Sequence, residues 1–176
     1  MTIDIARIRS TPLAISLMED VDLFDCSDQS IVEEFLKNDA LRLEECNACR
    51  TQLYYCDDRL IGYYTMFTDY VNLVNSKRNS AGWKDVSTAM GSQHFPAVRL
   101  HYLGIDKKYR KQGLGKLLLL FALDTCVNVS DHIGFNFIIL EALESSIDFF
   151  EKQKFSKVKL HNDLQVMAIK LDDIKS

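Results

Sequence analysis

The run from Tyr102 to Phe121 concentrates residues able to hold an anion. A largely apolar segment, Tyr102-Leu-Gly-Ile-Asp106, leads into the charged stretch Lys107-Lys-Tyr-Arg-Lys-Gln112. Gly113-Leu-Gly115 follows, and then Lys116-Leu-Leu-Leu-Leu-Phe121. This order predicts a strand, a short loop and the start of a helix. The first N–H groups of a helix have no intrahelical acceptor, and the helix dipole favours negative charge there. With Arg110, Lys111 and Lys116 close by, the junction is suited to a phosphate-bearing ligand.

Two familiar phosphate motifs do not fit. A Walker loop needs Gly-Lys-Ser/Thr after four spacers, and none is present. A dinucleotide fingerprint needs a third glycine, where this chain has Leu118. The cysteines give no competing chemistry. Cys46-Asn-Ala-Cys49 has metal or redox spacing, but no second Cys/His pair stands at zinc distance. The histidines His101, His132 and His161 are scattered. Structural thiols and no metal are expected.

The surrounding sequence supplies the elements that position this junction. Ile3 to Ile8 alternates as a first strand. Phe24-Asp-Cys-Ser-Asp-Gln-Ser30 reads as a capped turn before a helix at 31–37, and a second helix covers Ala40 to Ala48. Gln52–Cys56 and Leu60–Phe67, separated by Asp57-Asp-Arg59, form a hairpin. Asn75 to Phe95 is polar and reads as a long loop closed by Pro96, and Val98–Ile105 is the next strand. Leu114 to Val129 is a buried helix, and Phe135–Ala142 is a central strand. Ser145 or Ser146 caps a helix running to about Gln153, and Phe155–Leu160 and Leu164–Leu171 are two closing strands. The 176 residues contain no repeat or linker, so residues 1–176 are expected to form a single α/β (α+β) domain. A net charge of −4, 47% hydrophobic residues and 26% charged residues suit a globular protein without a general attraction to polyanions. With no membrane-length apolar run, no signal-peptide pattern and an odd count of five cysteines, a cytoplasmic location is expected.

Arg110-Lys-Gln-Gly113-Leu-Gly115 after Leu103-Gly-Ile-Asp106 resembles the acetyl-CoA-binding signature of the GNAT acetyltransferase family. The order of elements resembles that fold over nearly the whole chain. The resemblance implies a mixed central sheet with splayed central strands, Val98–Ile105 and Phe135–Ala142, flanked by helices. It implies acetyl-CoA as co-substrate. Backbone N–H groups from Lys111 through Gln112, Gly113, Leu114 and Gly115 to Lys116 would hold the pyrophosphate, with charge from Arg110. Leu103, Gly104 and Ile105 would line the pantetheine arm, pairing with it like an added strand. The Leu103 N–H would polarise the thioester carbonyl. The implied activity is direct N-acetyl transfer to a primary amine in a ternary complex. The acceptor would approach from the hairpin, the first helices and the long loop. Phe24-Asp-Cys-Ser27 and Leu60-Ile-Gly-Tyr-Tyr64 are similar to a subgroup containing toxins that acetylate aminoacyl-tRNA. Membership there would imply an antitoxin partner.

The chain departs from that pattern at three positions. Many members have a tyrosine that protonates the leaving thiolate; the matching residue here is Phe150, and Lys154 replaces a glycine. Arg99 stands where some members place a glutamate base, and Tyr102 where the toxin-like subgroup usually has arginine. His101 and Glu141 are the candidate bases for the attacking amine. Lys77, Arg78, Trp83 and Lys84 form either a local nucleic-acid surface or a solvated loop. The acceptor is therefore a small molecule, a protein amine or aminoacyl-tRNA. The Phe150 substitution also admits a catalytically weak acyl-CoA-binding or partner-binding module. A homodimer is compatible with the sequence.

Overall fold

The computed structural model describes residues 3–86 and 93–175. Its sheet has seven strands in the order β1-β2-β3-β4-β5-β7-β6. These are β1 Ile8–Pro12, β2 Arg50–Cys56, β3 Arg59–Asn72, β4 His94–Ile105, β5 Phe137–Ala142, β6 Ser156–His161 and β7 Leu164–Lys170. The helices are α1 Met18–Leu23, α2 Ser30–Glu34, α3 Ala40–Glu45, α4 Asn75–Ser80, α5 Leu114–Val129, α6 Glu144–Lys152 and α7 Asp172–Lys175. A π-helical turn, Phe35–Asp39, joins α2 to α3, so the two expected helices run as one. The chain divides into two compact units, Met1–Phe67 with Leu100–Ala122, and Thr68–Arg99 with Leu123–Ser176.

In the first unit β1, β2 and β3 are antiparallel neighbours. The β2–β3 turn is Asp57-Asp58, with φ of 51° and 60°. Two consecutive left-handed residues give the primed turn whose twist matches a hairpin. Opposite Tyr54 and Tyr55 the register shifts by one residue, leaving Ile61 bulged. The bulge re-aims a backbone group, and the Ile61 carbonyl accepts from Asp106 N at 3.1 Å. Phe24, Leu36, Leu53 and Tyr63 are buried in this unit's core.

In the second unit β4 and β5 are parallel through Ala97–Phe137, Val98–Ile138 and Arg99–Ile139, while β5–β7 and β6–β7 are antiparallel. Phe95, Ala97, Phe137, Ile139 and Ala168 form a core with Trp83 and Val86. Trp83 is 4% exposed and meets the Phe137 ring at 4.9 Å. Arg78 donates to the Lys84 and Val86 carbonyls and lies 5.2 Å over Phe95.

Several expectations are corrected. Ile5–Arg7 is a 3-10 turn rather than strand, and β1 starts at Ile8. Asp4 caps that turn by accepting from Ala6 N, which ends the extended pattern. Helix α1 was not foreseen. Part of the expected long loop is α4, and residues 87–92 of that loop lie outside the described residues. Arg78 and Trp83 are packing residues, because the indole and guanidinium cover the sheet. Helix α6 begins at Glu144 after Leu143, which makes no capping bond, so neither Ser145 nor Ser146 is its cap.

Candidate functional site

The junction expected to hold an anion lies in the first unit. Strand β4 ends at Ile105, and Asp106 caps the 3-10 turn Lys107–Tyr109. The Asp106 side chain is 3% exposed. Its carboxylate accepts from Lys108 N at 2.9 Å and from Asp25 N at 3.1 Å. A buried carboxylate persists when it is fully hydrogen-bonded, and here it ties two loops together. Lys107 N also donates to the Asp25 carbonyl at 2.8 Å, and its ammonium meets the Asp25 carboxylate at 2.6 Å. That ammonium holds Asp25 down to a pKa of about 2.

Beyond the turn, Lys111 has φ 59° and Gly113 has φ 80°. Two left-handed residues turn the chain sharply before α5 begins. Leu117 N donates to the Gly113 carbonyl at 3.1 Å as the helix opens. The N–H groups of Leu114, Gly115 and Lys116 fall in the first turn, where the helix supplies no acceptor. Lys111 and Lys116 are exposed at this end. Arg110 behaves differently from expectation. Its Nε donates to the Ile105 carbonyl at 3.0 Å, Nη2 to Cys26 Sγ at 2.9 Å, and Nη1 pairs with Asp28. It therefore braces the loop against the segment before α2. Burial pushes the Cys26 thiol up, and the Arg110 charge only partly offsets it, so the sulfur is a neutral acceptor. Gln112 Oε1 accepts from Ile3 N at 3.0 Å.

Leu103, Gly104 and Ile105 occupy the last residues of β4. A Cβ at Gly104 would lie 2.6 Å from Tyr63 Cε1, so close packing excludes a side chain. Gly62 is constrained likewise, 2.7 Å from the Gly104 carbonyl oxygen. His101 packs among Phe35, Phe67 and Tyr102, with ring centroids 5.2, 4.9 and 4.2 Å away.

Glu141 and Phe150 belong to the second unit. Glu141 lies within a polar row: Arg99 Nε donates to Asp69 at 2.5 Å, Arg99 Nη1 lies 3.0 Å from Glu141 Oε1, and His161 Nδ1 lies 2.8 Å from that oxygen. Burial would raise the Glu141 pKa, but the bonds and charge from His161 and Arg99 prevail and lower it. A carboxylate so stabilised is a weak base. Sequence reasoning missed His161, which becomes a neighbour of Glu141 only through sheet register. Phe150 stacks edge-on to Phe149 and Phe155, at 5.0 and 5.9 Å. Lys154 has φ 69°. Lys154 N donates to the Glu151 carbonyl at 2.9 Å and Phe155 N to the Phe150 carbonyl at 3.1 Å. This is the helix stop that favours glycine at the left-handed position.

The cysteines are free; Cys46 is exposed, and Cys26, Cys49, Cys56 and Cys126 are buried. Among the described residues no cluster of three or more metal-ligating side chains occurs, and no helix is long and apolar enough to cross a membrane.

Comparison with known proteins matches residues 18–155 to the acetyltransferase (GNAT) family. A tRNA-acetylating toxin of Mycobacterium tuberculosis is 25% identical over 167 residues, covering 93% of each chain. The structure of AtaT complexed with acetyl-methionyl-tRNAfMet has a TM-score of 0.79 at 21% identity, covering 96% of this chain and 97% of that one. A tyrosine-to-phenylalanine variant of AtaT, bound to the C-terminus of the antitoxin AtaR and acetyl-CoA, has a TM-score of 0.73 at 20% identity, covering 96% of each chain.

Proposed function

The chain belongs to the acetyltransferase (GNAT) family, and we propose that, as an N-acetyltransferase, it moves the acetyl group of acetyl-CoA directly onto the α-amino group of an aminoacyl-tRNA. Residues 1–176 then make up a single acetyltransferase domain. One observation carries the donor half: Lys111 and Gly113, both left-handed, set the opening turn of the 16-residue helix α5 behind β4. That loop supplies backbone N–H groups and the exposed Lys111 and Lys116 to a pyrophosphate. The Leu103 N–H polarises the thioester carbonyl, and Gly104 and Ile105 line the pantetheine arm. Asp28 and Cys26 brace Arg110, which shapes the loop from behind.

The acceptor half rests on the tRNA-acetylating relative, whose similarity runs through 93% of both chains. His101, set among Phe35, Phe67 and Tyr102, faces the acceptor as a ring cluster. Phe150 carries no proton, so water or another donor must protonate the departing thiolate. A toxin-like enzyme also implies an antitoxin as protein partner.

Radiolabelled acetyl-CoA, offered with mixed aminoacyl-tRNA, a small-amine panel and a peptide panel, tests this reading. Label is expected in the tRNA fraction, released with the amino acid when mild base cleaves the ester. Transfer to small amines or peptides with none to aminoacyl-tRNA would overturn it.

A further inference from the structure

A carboxylate repels an anion, yet two carboxylates stand against the loop expected to hold one. Asp25 and Asp28, in the segment before α2, meet Lys107 and Arg110 of the loop after β4. All four residues belong to the first unit. The Arg110 hydrogen bond holds the Asp28 carboxyl below its ordinary value, so it is an anion at neutral pH. Its charge opposes a pyrophosphate nearby. The contact therefore serves the loop through geometry rather than charge.

Arg110 directs its donors at the protein. Nε donates to the Ile105 carbonyl at 3.0 Å, Nη2 to Cys26 Sγ at 2.9 Å, and Nη1 pairs with Asp28. A guanidinium is a rigid planar fork, so these partners fix its plane. Ile105 and Cys26 are buried, whereas the Asp28 side chain is 53% exposed. Asp28 is thus the partner that can be changed without disturbing a core. The next residue, Lys111, has φ 59°. A non-glycine residue stays in the left-handed region only where its surroundings over-determine it. Here the turn is pinned before Lys111 by the Arg110 guanidinium. It is pinned after Lys111 by Gln112 Oε1, which accepts from Ile3 N at 3.0 Å. Gly113 then leads into α5 at φ 80°.

The segment carrying Asp28 is itself anchored. Cys26 N donates to Glu33 Oε2 at 2.5 Å, and Glu33 pairs with Lys37 at 2.9 Å, so the segment is tied to α2. Gln29 N donates to the Cys26 carbonyl at 2.7 Å. Ser27 N and Oγ donate to Asp25 Oδ1 at 3.2 and 2.9 Å, and Lys107 Nζ donates to Ser27 Oγ at 3.1 Å. An isolated exposed ion pair contributes little. The Asp28–Arg110 pair instead closes a frame whose other members are already fixed.

We propose that Asp28 is a positioning residue for coenzyme A. Acting through Arg110, it holds the Lys111–Gly113 turn in the shape that presents N–H groups to the pyrophosphate. A carboxylate thereby raises the affinity of an anion site. The proposal rests on the reading of acetyl-CoA as the donor, and it reverses the sign that charge alone gives. Were Arg110 itself a ligand of the pyrophosphate, removing Asp28 would free the guanidinium and tighten binding.

The test uses the full chain as wild type, Asp28→Ala, Arg110→Lys and the double variant. Calorimetry reads the Kd for CoA, and amide exchange across residues 111–116 is followed in the CoA-free protein. Asp28→Ala is expected to raise the Kd by about tenfold, as when the competent loop falls to about a tenth of the population. It is also expected to speed exchange at 111–116 before any CoA is added. Arg110→Lys keeps the charge but not the fork and is expected to do the same. The double variant should lose no more than either single one, because the two side chains make one contact. Unchanged or tighter CoA binding by Asp28→Ala overturns the proposal. So do unaltered exchange, losses that add in the double variant, or a lower Tm with the Kd unmoved, which marks a merely structural role. Wild type that binds no CoA overturns the donor reading and the proposal together, whereas CoA bound alike by wild type and Asp28→Ala overturns the proposal alone.

Discussion

Gly104 and Gly113 lie on either side of the same loop, and each is glycine for a different physical reason. At Gly113 a Cβ meets nothing within 4 Å, but φ is +80°. Gly113→Ala should therefore cost about 1–2 kcal/mol through backbone strain alone and weaken acetyl-CoA binding, read by calorimetry. Gly104 has no such φ, yet its Cβ would collide with Tyr63. Gly104→Ala should cost about 1–3 kcal/mol by overpacking, and Tyr63→Phe should not relieve it, because the clash is with the ring edge. Phe150 decides a different question. Phe150→Tyr adds the missing donor and should raise kcat, by up to ~10²-fold if the hydroxyl reaches the thiolate. Unchanged CoA release would show that protonation of the leaving group does not limit turnover.

Helix ends and turns set the geometry at the next scale. Helix α6 stops at Lys154, a left-handed residue without glycine's freedom. Lys154→Gly removes the strain but adds freedom to the unfolded chain. The net expectation is a stabilisation of about 0.5–1 kcal/mol, visible as a rise in Tm with activity retained. Asp106 is the opposite case. It satisfies two backbone N–H groups from two loops while 3% exposed. Asp106→Ala leaves both donors unpaired, for about 1–3 kcal/mol each at most. It should raise the KM for acetyl-CoA as the loop loosens from the Asp25 segment. Asp106→Asn keeps an acceptor oxygen and should recover most of the loss.

For the molecule as a whole, Asp25 is a contributor to stability on the acid side. Asp25 has its pKa lowered from 3.8 to about 2 by Lys107. A carboxylate depressed in the folded state adds stability that is complete above its unfolded value and lost as pH falls through the folded value. Wild type should therefore weaken more than Asp25→Asn between about pH 4 and pH 2, measured by denaturant unfolding; parallel curves would refute this. The GNAT assignment and most of the order of elements were readable because each depends on near neighbours in the chain. Two glycines, a strand before them and an apolar helix after them specify the junction with little outside help. The hairpin at Asp57-Asp58 was readable for the same reason. Helix α1 and the inward packing of Trp83 and Arg78 were not, since short or polar segments take their form from the surfaces they cover. The roles of Arg110 and His161 were also out of reach. Arg110 meets Asp28, 82 positions away, and His161 meets Glu141, 20 positions away. What the sequence by itself determined was the strand–turn–helix junction from Ile105 to Leu114, built from local backbone chemistry. What only the tertiary structure decided was which charges face one another, because strand register and loop closure, not spacing along the chain, bring them within hydrogen-bonding distance.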